Sequence, residues 1–418
     1  MIKKVRIEKI KGDLEIPASK SLFHRYLIMA SRIPGLRISY KGLCQDVLVT
    51  IEALRAIGSK IQVQDNEILI NGFEKIRQNT INFQESGSSL RFILPYAFIE
   101  EGYYEFTGEN RLPQRPIKDL LKELEDKNVT FTHYKLPFLA RGRIKGAFFK
   151  LRADISSQYI SSLMMAASFI SDQAEIDIVG QVKSLPYINM TAKVMSDFPF
   201  DVRVLENRIL INRNESKKAK KHFVIEGDWS NALLAISLSL LKGDLRLGGL
   251  KKASYQGDSK LVDILKASGA DISWEGDFLE VKKSQIDQLV MDIEDNIDAF
   301  PVLSVLALSC KKPSFFYNIK RLRYKESDRV EAILDLHQRL GARSYVDGDK
   351  FVVVPHKLKS CRVNSYKDHR IVMAALVAAA LADLEIVIED FEAVYKSYPG
   401  FIKDMESIGV EIGDEDEV

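Results

Sequence analysis

A segment that reads as an apolar-striped helix, a glycine stop and two alternating strands around a polar turn recurs along this chain. That grammar constrains the fold more than any single motif. It is plain in "IEALRAIGSKIQVQDNEILI" (51–70), "KLVDILKASGADISWEGDFLEV" (260–281) and "RVEAILDLHQRLGARSYVDGDKFVVV" (329–354). In each, apolar residues at helical spacing give way to period-two alternation, as an amphipathic helix followed by a half-buried hairpin requires. A version without the glycine lies at 191–211, a degenerate one at 117–134 and a truncated one, "FIKDMESIGVEI", at 401–412. Identities differ between copies, so the repeat is one of structure. Three units precede residue 225 and three follow it, which predicts an α/β protein of two domains, each built from three helix-plus-strand units. The connections hold further buried helices such as "SSQYISSLMMAASFI" (156–170). The break falls near "HFVIEGDWSNALLAISLSLL", where strand grammar ends and Asp228 can cap a helix. The N-terminal strand, residues 1 to about 15, can complete either half on periodicity alone.

At 418 residues the chain is too long for one ordinary core, which agrees with two domains. Sixty basic against fifty-eight acidic residues leave a net charge of only +2, so no global field pulls it onto nucleic acid or a membrane. Any anion binding must be local. Cys44, Cys310 and Cys361 lie far apart, without the spacing of a disulfide framework or a zinc site, and fit a reducing cytoplasm. The start of the chain lacks a signal-peptide core, and no uninterrupted apolar run reaches the roughly 18 residues of a spanning helix.

Polar clusters sit where helices begin. "RLRYKESDR" (321–329) packs six charges before an apolar helix; Ser327 or Asp328 can cap it, with Glu331 in the first turn. "PASKSLFHR" places Lys20, Ser21 and Arg25 at a helix mouth, Arg25 one turn beyond Ser21. "ESGSSLRF" offers Gly87 and small hydroxyl residues, where backbone N–H groups can approach an anion. "RPIKDL" starts a helix with Arg115 just before Pro116, and "DISSQYI" supplies Ser156, Ser157 and Gln158. "KDHRIVMAA" adds Asp368, His369 and Arg370, and "YKSYPGF" adds Lys396. Asp298, in "NIDAFPVLSVLAL", enters an apolar helix either as its cap or as a proton acceptor, with Glu326 or a lysine supplying a proton elsewhere. Each cluster alone reads as a solvated helix start. Together, if the domains face each other, they would line a cleft for a compound bearing several negative groups.

The motifs "PASKSLFHR", "SGSSLRF", "RLPQRPI", "SSQYISSLMMAA", "KSLPYI", "NIDAFP", "YKESDR", "KDHRIVMA" and "KSYPGF", in this order over residues 17–401, give a chain that resembles the enolpyruvyl transferases. Within them it is most similar to the branch whose acceptor is shikimate 3-phosphate. The resemblance implies a two-domain inverse α/β prism, residues 1–14 with 226–418 as domain one and 15–225 as domain two. It implies transfer of the enolpyruvyl group of phosphoenolpyruvate to the 5-hydroxyl of shikimate 3-phosphate with release of phosphate, on the way to chorismate and the aromatic amino acids. Lys20, Ser21, Arg25, Ser156, Ser157, Gln158, Ser184, Asp298 and Lys325 would hold shikimate 3-phosphate. Lys20, Gly87, Arg115, Gln158, Arg329, Arg370 and Lys396 would surround phosphoenolpyruvate. Asp298, Glu326 and Lys20 would carry the chemistry, Asp298 taking the hydroxyl proton and Glu326 protonating the methylene carbon. A cytoplasmic monomer is implied, with no metal, organic cofactor, nucleic acid or membrane involved.

Two positions depart from the pattern: Arg321 and Glu85 stand where the family often has asparagine. The sister branch that acts on UDP-N-acetylglucosamine usually carries a cysteine five residues before the "RP" arginine. Asn110 stands there in this chain. A non-catalytic module embracing nucleic acid would need a basic stripe and would not need Asp298 or Glu326, and the balanced charge argues against it.

Overall fold

Because twelve helices alternate between wholly apolar and striped, the chain can build two layers around each of two cores. The structure, a computed structural model, describes residues 1–74, 78–152, 156–180, 183–382 and 385–415. It divides into two units: Ser19–Ile225, and Met1–Ala18 with Glu226–Val418. The first holds α1 (Lys20–Ala30), α2 (Gln45–Ile57), α3 (Gly87–Ala97), α4 (Lys118–Glu125), α5 (Ser157–Ile170) and α6 (Leu185–Ser196). The second holds α7 (Trp229–Lys242), α8 (Leu261–Ala267), α9 (Phe300–Leu306), α10 (Arg329–Arg339), α11 (His369–Ala382) and α12 (Phe401–Ser407).

The odd-numbered helices are mostly apolar around their circumference and lie inside, with the few charges of α1 and α3, such as Arg25 and Arg91, buried with them. Tyr159, Ile160, Leu163 and Met164 of α5 and Ile371 through Ala379 of α11 have no exposed surface. The even-numbered helices carry the stripes seen in the sequence: α10 buries Val330, Ile333 and Leu336 and turns Glu331 and Gln338 to solvent.

Each unit has three four-stranded sheets of one design, a short edge strand parallel to its neighbour and then an antiparallel hairpin. In Ser19–Ile225, strand Leu36–Ser39 pairs antiparallel with Glu67–Phe73, which pairs with Ser59–Gln64. His222–Val224 returns from the far end of the unit to pair parallel with Leu36–Ser39. Thr80–Asn82 and Phe148–Arg152 play the same edge role beside Gly102–Thr107 and Gln173–Val179. Every inner helix thus ends in a strand of the surrounding sheets, which is the inverse α/β prism.

The other unit repeats the design with one substitution. The truncated sixth repeat supplies a single strand, Glu411–Asp414, and the N-terminal strand Lys3–Arg6 fills the missing place between it and Ile386–Glu389. Val5, paired with Ile386 on one side and Ile412 on the other, is fully buried there. The glycine stops have a steric cause. Gly58 sits at φ +127°, where a Cβ would come 2.1 Å from the Glu74 carbonyl oxygen. In the degenerate repeat Asn128 takes the left-handed position at φ 74°. Among the described residues no helix is long and apolar enough to cross a membrane.

Candidate functional site

In the unit Met1–Ala18 with Glu226–Val418, the three inner helices begin beside aspartates 70 residues apart, Asp228, Asp298 and Asp368. Asp228 caps α7, its Oδ1 accepting from Asn231 N at 3.0 Å. Asp368 Oδ1 accepts from Arg370 N at 2.9 Å at the start of α11. Asp298 lies two residues before Phe300, where α9 begins, and its Oδ1 accepts from Arg329 Nη1 at 2.6 Å and Lys325 Nζ at 3.2 Å.

Arg329, fully buried at the first position of α10, is the hub of this site. Besides Asp298 it reaches Glu326 Oε2 at 2.9 Å and both oxygens of Asp368 at 2.9 and 3.2 Å. The cap of α10 is Asp328, whose Oδ1 accepts from Val330 N and Glu331 N. Ser327 instead donates to Asp368 Oδ2 at 2.9 Å. Arg323 grips Asp328 and Glu331 on the outside. Five charges of "RLRYKESDR" therefore divide, with Lys325, Glu326 and Arg329 meeting at the buried guanidinium and the Asp298 carboxylate, and Arg323 and Asp328, with Glu331 beyond them, holding the helix start.

Burial opposes the charge on Asp298, yet Lys325, Arg329 and Arg370 together hold its carboxyl well below the usual range. Burial pushes the Lys325 ammonium down, with Asp298 pulling the other way. Burial likewise opposes the Arg329 charge, and Asp368, Glu326 and Asp298 overcome it. Arg370 donates to Asn231 Oδ1 at 3.1 Å, and Asn231 Nδ2 to the Ser397 carbonyl at 3.1 Å, so one side chain ties Arg370 to the turn Phe391–Lys396. At the end of that turn Lys396 Nζ donates to the Lys367 carbonyl at 2.7 Å.

In Ser19–Ile225 the corresponding residues before α1, α3 and α5 are serines: Ser19, Ser86 and Ser156. Ser156 Oγ accepts from Gln158 N at 3.3 Å, and Ser157 behind it is buried. Gln158 bridges two helices, accepting from Arg91 Nη1 and donating to Ser88 Oγ, each at 2.8 Å. Lys20 pairs with Asp46 at 2.8 Å. Arg25 is buried among neutral groups, donating to Thr191 Oγ1 and the Ser21 carbonyl at 2.7 Å, and more loosely to Ser161 and Tyr187. Desolvation lowers its guanidinium to about 10. His24 Nδ1, Thr50 and Ser89 form a buried chain with 2.7 Å links, and burial pushes His24 down to about 3, so it stays neutral. Ser184 is buried in the left-handed conformation, φ 56°, ahead of α6.

Gly87 lies against two arginines. A methyl carbon there would stand 2.5 Å from Arg115 Nη1 and 3.0 Å from Arg91 Nη1. Gly87→Ala should therefore displace Arg115 and raise KM for an anion bound by that guanidinium about tenfold, a cost of about 1.4 kcal/mol. Steady-state kinetics would check this, and an unchanged KM would mean that Arg115 does not bind the anion.

The sequence singled out every cation of these clusters except Arg91, and passed over Asp46 and Asn231, which hold Lys20 and Arg370. Arg91 stands one turn beyond Gly87 in "SGSSLRF", a spacing that places it on the same helix face. The two departures also have places: Glu85 accepts from Asn110 Nδ2, and Arg321 lies in the turn Ile319–Tyr324. The clusters differ in charge. Asp298, Glu326 and Asp368 stand among Lys325, Arg329 and Arg370, whereas in Ser19–Ile225 Lys20 pairs with Asp46 while Arg25 and Arg91 bond neutral groups. One cluster can manage protons and the other can hold anions. Among the described residues, no group of three or more His, Cys, Asp or Glu side chains is placed to hold a metal ion.

Comparison with known proteins gives one answer. The family model described as EPSP synthase (3-phosphoshikimate 1-carboxyvinyltransferase) matches residues 5–405. A 3-phosphoshikimate 1-carboxyvinyltransferase of Clostridium perfringens is 33% identical, covering 98% of this chain and 99% of that protein. One from Methanocorpusculum labreanum is 32% identical over 97% and 98%. Among solved structures, an EPSP synthase from Acinetobacter baumannii superposes with a TM-score of 0.82 at 21% identity, covering 99% of this chain and 100% of that one. The enolpyruvyl transferase NikO from Streptomyces tendae gives 0.75 at 15% identity, over 99% and 98%; both show a shared fold.

Proposed function

Because the chain belongs to the EPSP synthase family and moves the enolpyruvyl group of phosphoenolpyruvate to the 5-hydroxyl of shikimate 3-phosphate, we propose that Asp298 and Glu326 are its proton carriers. The reaction is a step of the shikimate pathway to the aromatic amino acids and releases phosphate. The observation that carries the proposal is that both carboxylates rest on one buried guanidinium, Arg329. That arrangement fixes an acceptor and a donor relative to each other.

Asp298 accepts the proton of the 5-hydroxyl as its oxygen attacks, and Glu326 delivers one to the methylene carbon, making the neighbouring carbon electrophilic. The adduct then returns a proton from the new methyl group to Glu326, and phosphate leaves with the proton that Asp298 had taken up, so both carboxyl groups end as they began. A carboxylate held as low as Asp298 is a weak base. Incoming phosphate and carboxylate groups compete for Lys325 and Arg329, and that competition raises its basicity as the hydroxyl arrives. Lys20 is the third catalytic group, placing a cation near the reacting oxygens.

For shikimate 3-phosphate, Lys20, Ser21, Arg25, Ser156, Ser157, Gln158, Ser184, Asp298 and Lys325 form the binding set. For phosphoenolpyruvate it is Lys20, Gly87, Arg115, Gln158, Arg329, Arg370 and Lys396. The excess of cations over carboxylates in Ser19–Ile225 supports anion binding there. The same reading makes the enzyme a cytoplasmic monomer that acts without metal or organic cofactor.

The test is phosphate release from phosphoenolpyruvate with shikimate 3-phosphate or UDP-N-acetylglucosamine as acceptor. Release should require shikimate 3-phosphate, and Asp298→Ala should lower kcat by roughly 10²–10⁴. Turnover with UDP-N-acetylglucosamine would overturn the acceptor assignment, and an Asp298→Ala enzyme of near-normal kcat would remove Asp298 from the chemistry.

A further inference from the structure

Asp258 has no part in the roles assigned above, yet it is one of the most enclosed carboxylates of its unit, 3% exposed in the turn Gly257–Lys260. Burying a carboxylate is costly unless donors meet it. Two do: Ser230 Oγ from the first turn of α7, and Asn296 Nδ2 at 2.9 Å. Asn296 precedes Asp298 by two residues, and its backbone spans the turn that carries Asp298. Its N–H donates to the Ile293 carbonyl at 3.1 Å, and its carbonyl accepts from Ala299 N at 3.0 Å. The next residue along α7, Asn231, holds Arg370. One helical turn therefore anchors both the segment bearing Asp298 and an arginine whose charge Asp298 feels.

We propose that Asp258 is a positioning residue for Asp298: through Asn296 it pins the turn 293–299 to α7, so that the Asp298 carboxylate stands on Arg329 and Lys325. This rests on the reading of Asp298 as proton acceptor. Asp258 is coupled to the site. Burial pushes its carboxyl up, Ser230 and Asn296 oppose this, Asp298 adds to the rise and Arg370 counters it.

The test is Asn296→Ala at a half-buried position, with urea unfolding measured so that lost stability is told apart from lost positioning, beside Asp298→Ala and the exchanged pair Asp258→Asn with Asn296→Asp. Asn296→Ala should lower kcat on the order of ten- to a hundredfold, the scale of a misplaced reacting group. KM for both substrates should stay nearly constant, as for an interaction used only in the transition state. The acid limb of the kcat profile should move to higher pH. Facing Asp298 are Lys325, Arg329, Arg370, Glu326 and Asp258, and a carboxylate loosened from the cations among them protonates more readily. The exchanged pair restores a donor–acceptor link between the two positions and should recover most of the lost kcat. A wild-type kcat and pH profile for Asn296→Ala beside an inactive Asp298→Ala enzyme would overturn the positioning role alone. An active Asp298→Ala enzyme would overturn the premise.

Discussion

Arg329→Met is expected to destabilise the protein by about 3–5 kcal/mol at neutral pH, the usual consequence of removing one partner from a buried ionic cluster. The guanidinium has no exposed surface and bonds Asp298, Glu326 and Asp368, so its loss leaves three carboxylates in a low-dielectric site with Lys325 and Arg370 as the neighbouring cations. Lysine should rescue little, because one ammonium cannot present the fork that reaches three partners. The effect has a defined pH dependence. Asp298 and Asp368 are both depressed in the folded protein, so the stability they contribute is present above the ordinary carboxylate pKa and is lost as pH falls through their folded values. Below about pH 4 the difference between variant and parent should therefore shrink. Urea unfolding of both proteins across this range measures it. A loss under about 1 kcal/mol at pH 7, the scale of an exposed pair, would mean that the carboxylates reach water without Arg329.

What the sequence could show follows from how far each interaction reaches along the chain. The repeat was legible because a glycine stop and the change from helical to alternating spacing are local signals, read within about 25 residues. The place of Lys3–Arg6 was not, since pairing with Ile386–Glu389 and Glu411–Asp414 depends on a strand missing from the other end of the chain. The site divides the same way. Cations at helix starts stand out because the helix beginning is itself visible. The carboxylates that hold them do not, since Asp46 lies 26 residues from Lys20 and Asp368 lies 39 from Arg329. Asp298 was open between cap and acceptor for a similar reason: Lys325 and Arg329, which bond it, lie 27 and 31 residues further on.

Asp228, Asp298 and Asp368 stand before the inner helices of one unit where Ser19, Ser86 and Ser156 stand in the other, so the helix starts differ in charge on one scaffold. Ser86 and Ser156 cap their helices through neutral hydroxyls, while Asp298 and Asp368 bond the cation Arg329 beside Glu326, from which a proton moves in the proposed mechanism. Glu326→Gln isolates that motion. Glutamine keeps an oxygen for Arg329 Nη2, so the cluster and the stability should survive while the transferable proton is lost. The expected result is a kcat lower by roughly 10²–10⁴ with a near-normal unfolding curve. In deuterated water the parent enzyme should carry label into the methylene group of the product, because the carbon that receives the proton becomes a methyl group before it gives one back. Glu326→Gln should lose that incorporation in proportion to turnover within a single reaction cycle. Label entering at the parental rate would assign the donor elsewhere, to Lys20 or to water. Equal losses of stability and turnover would make Glu326 a partner of Arg329 and nothing more.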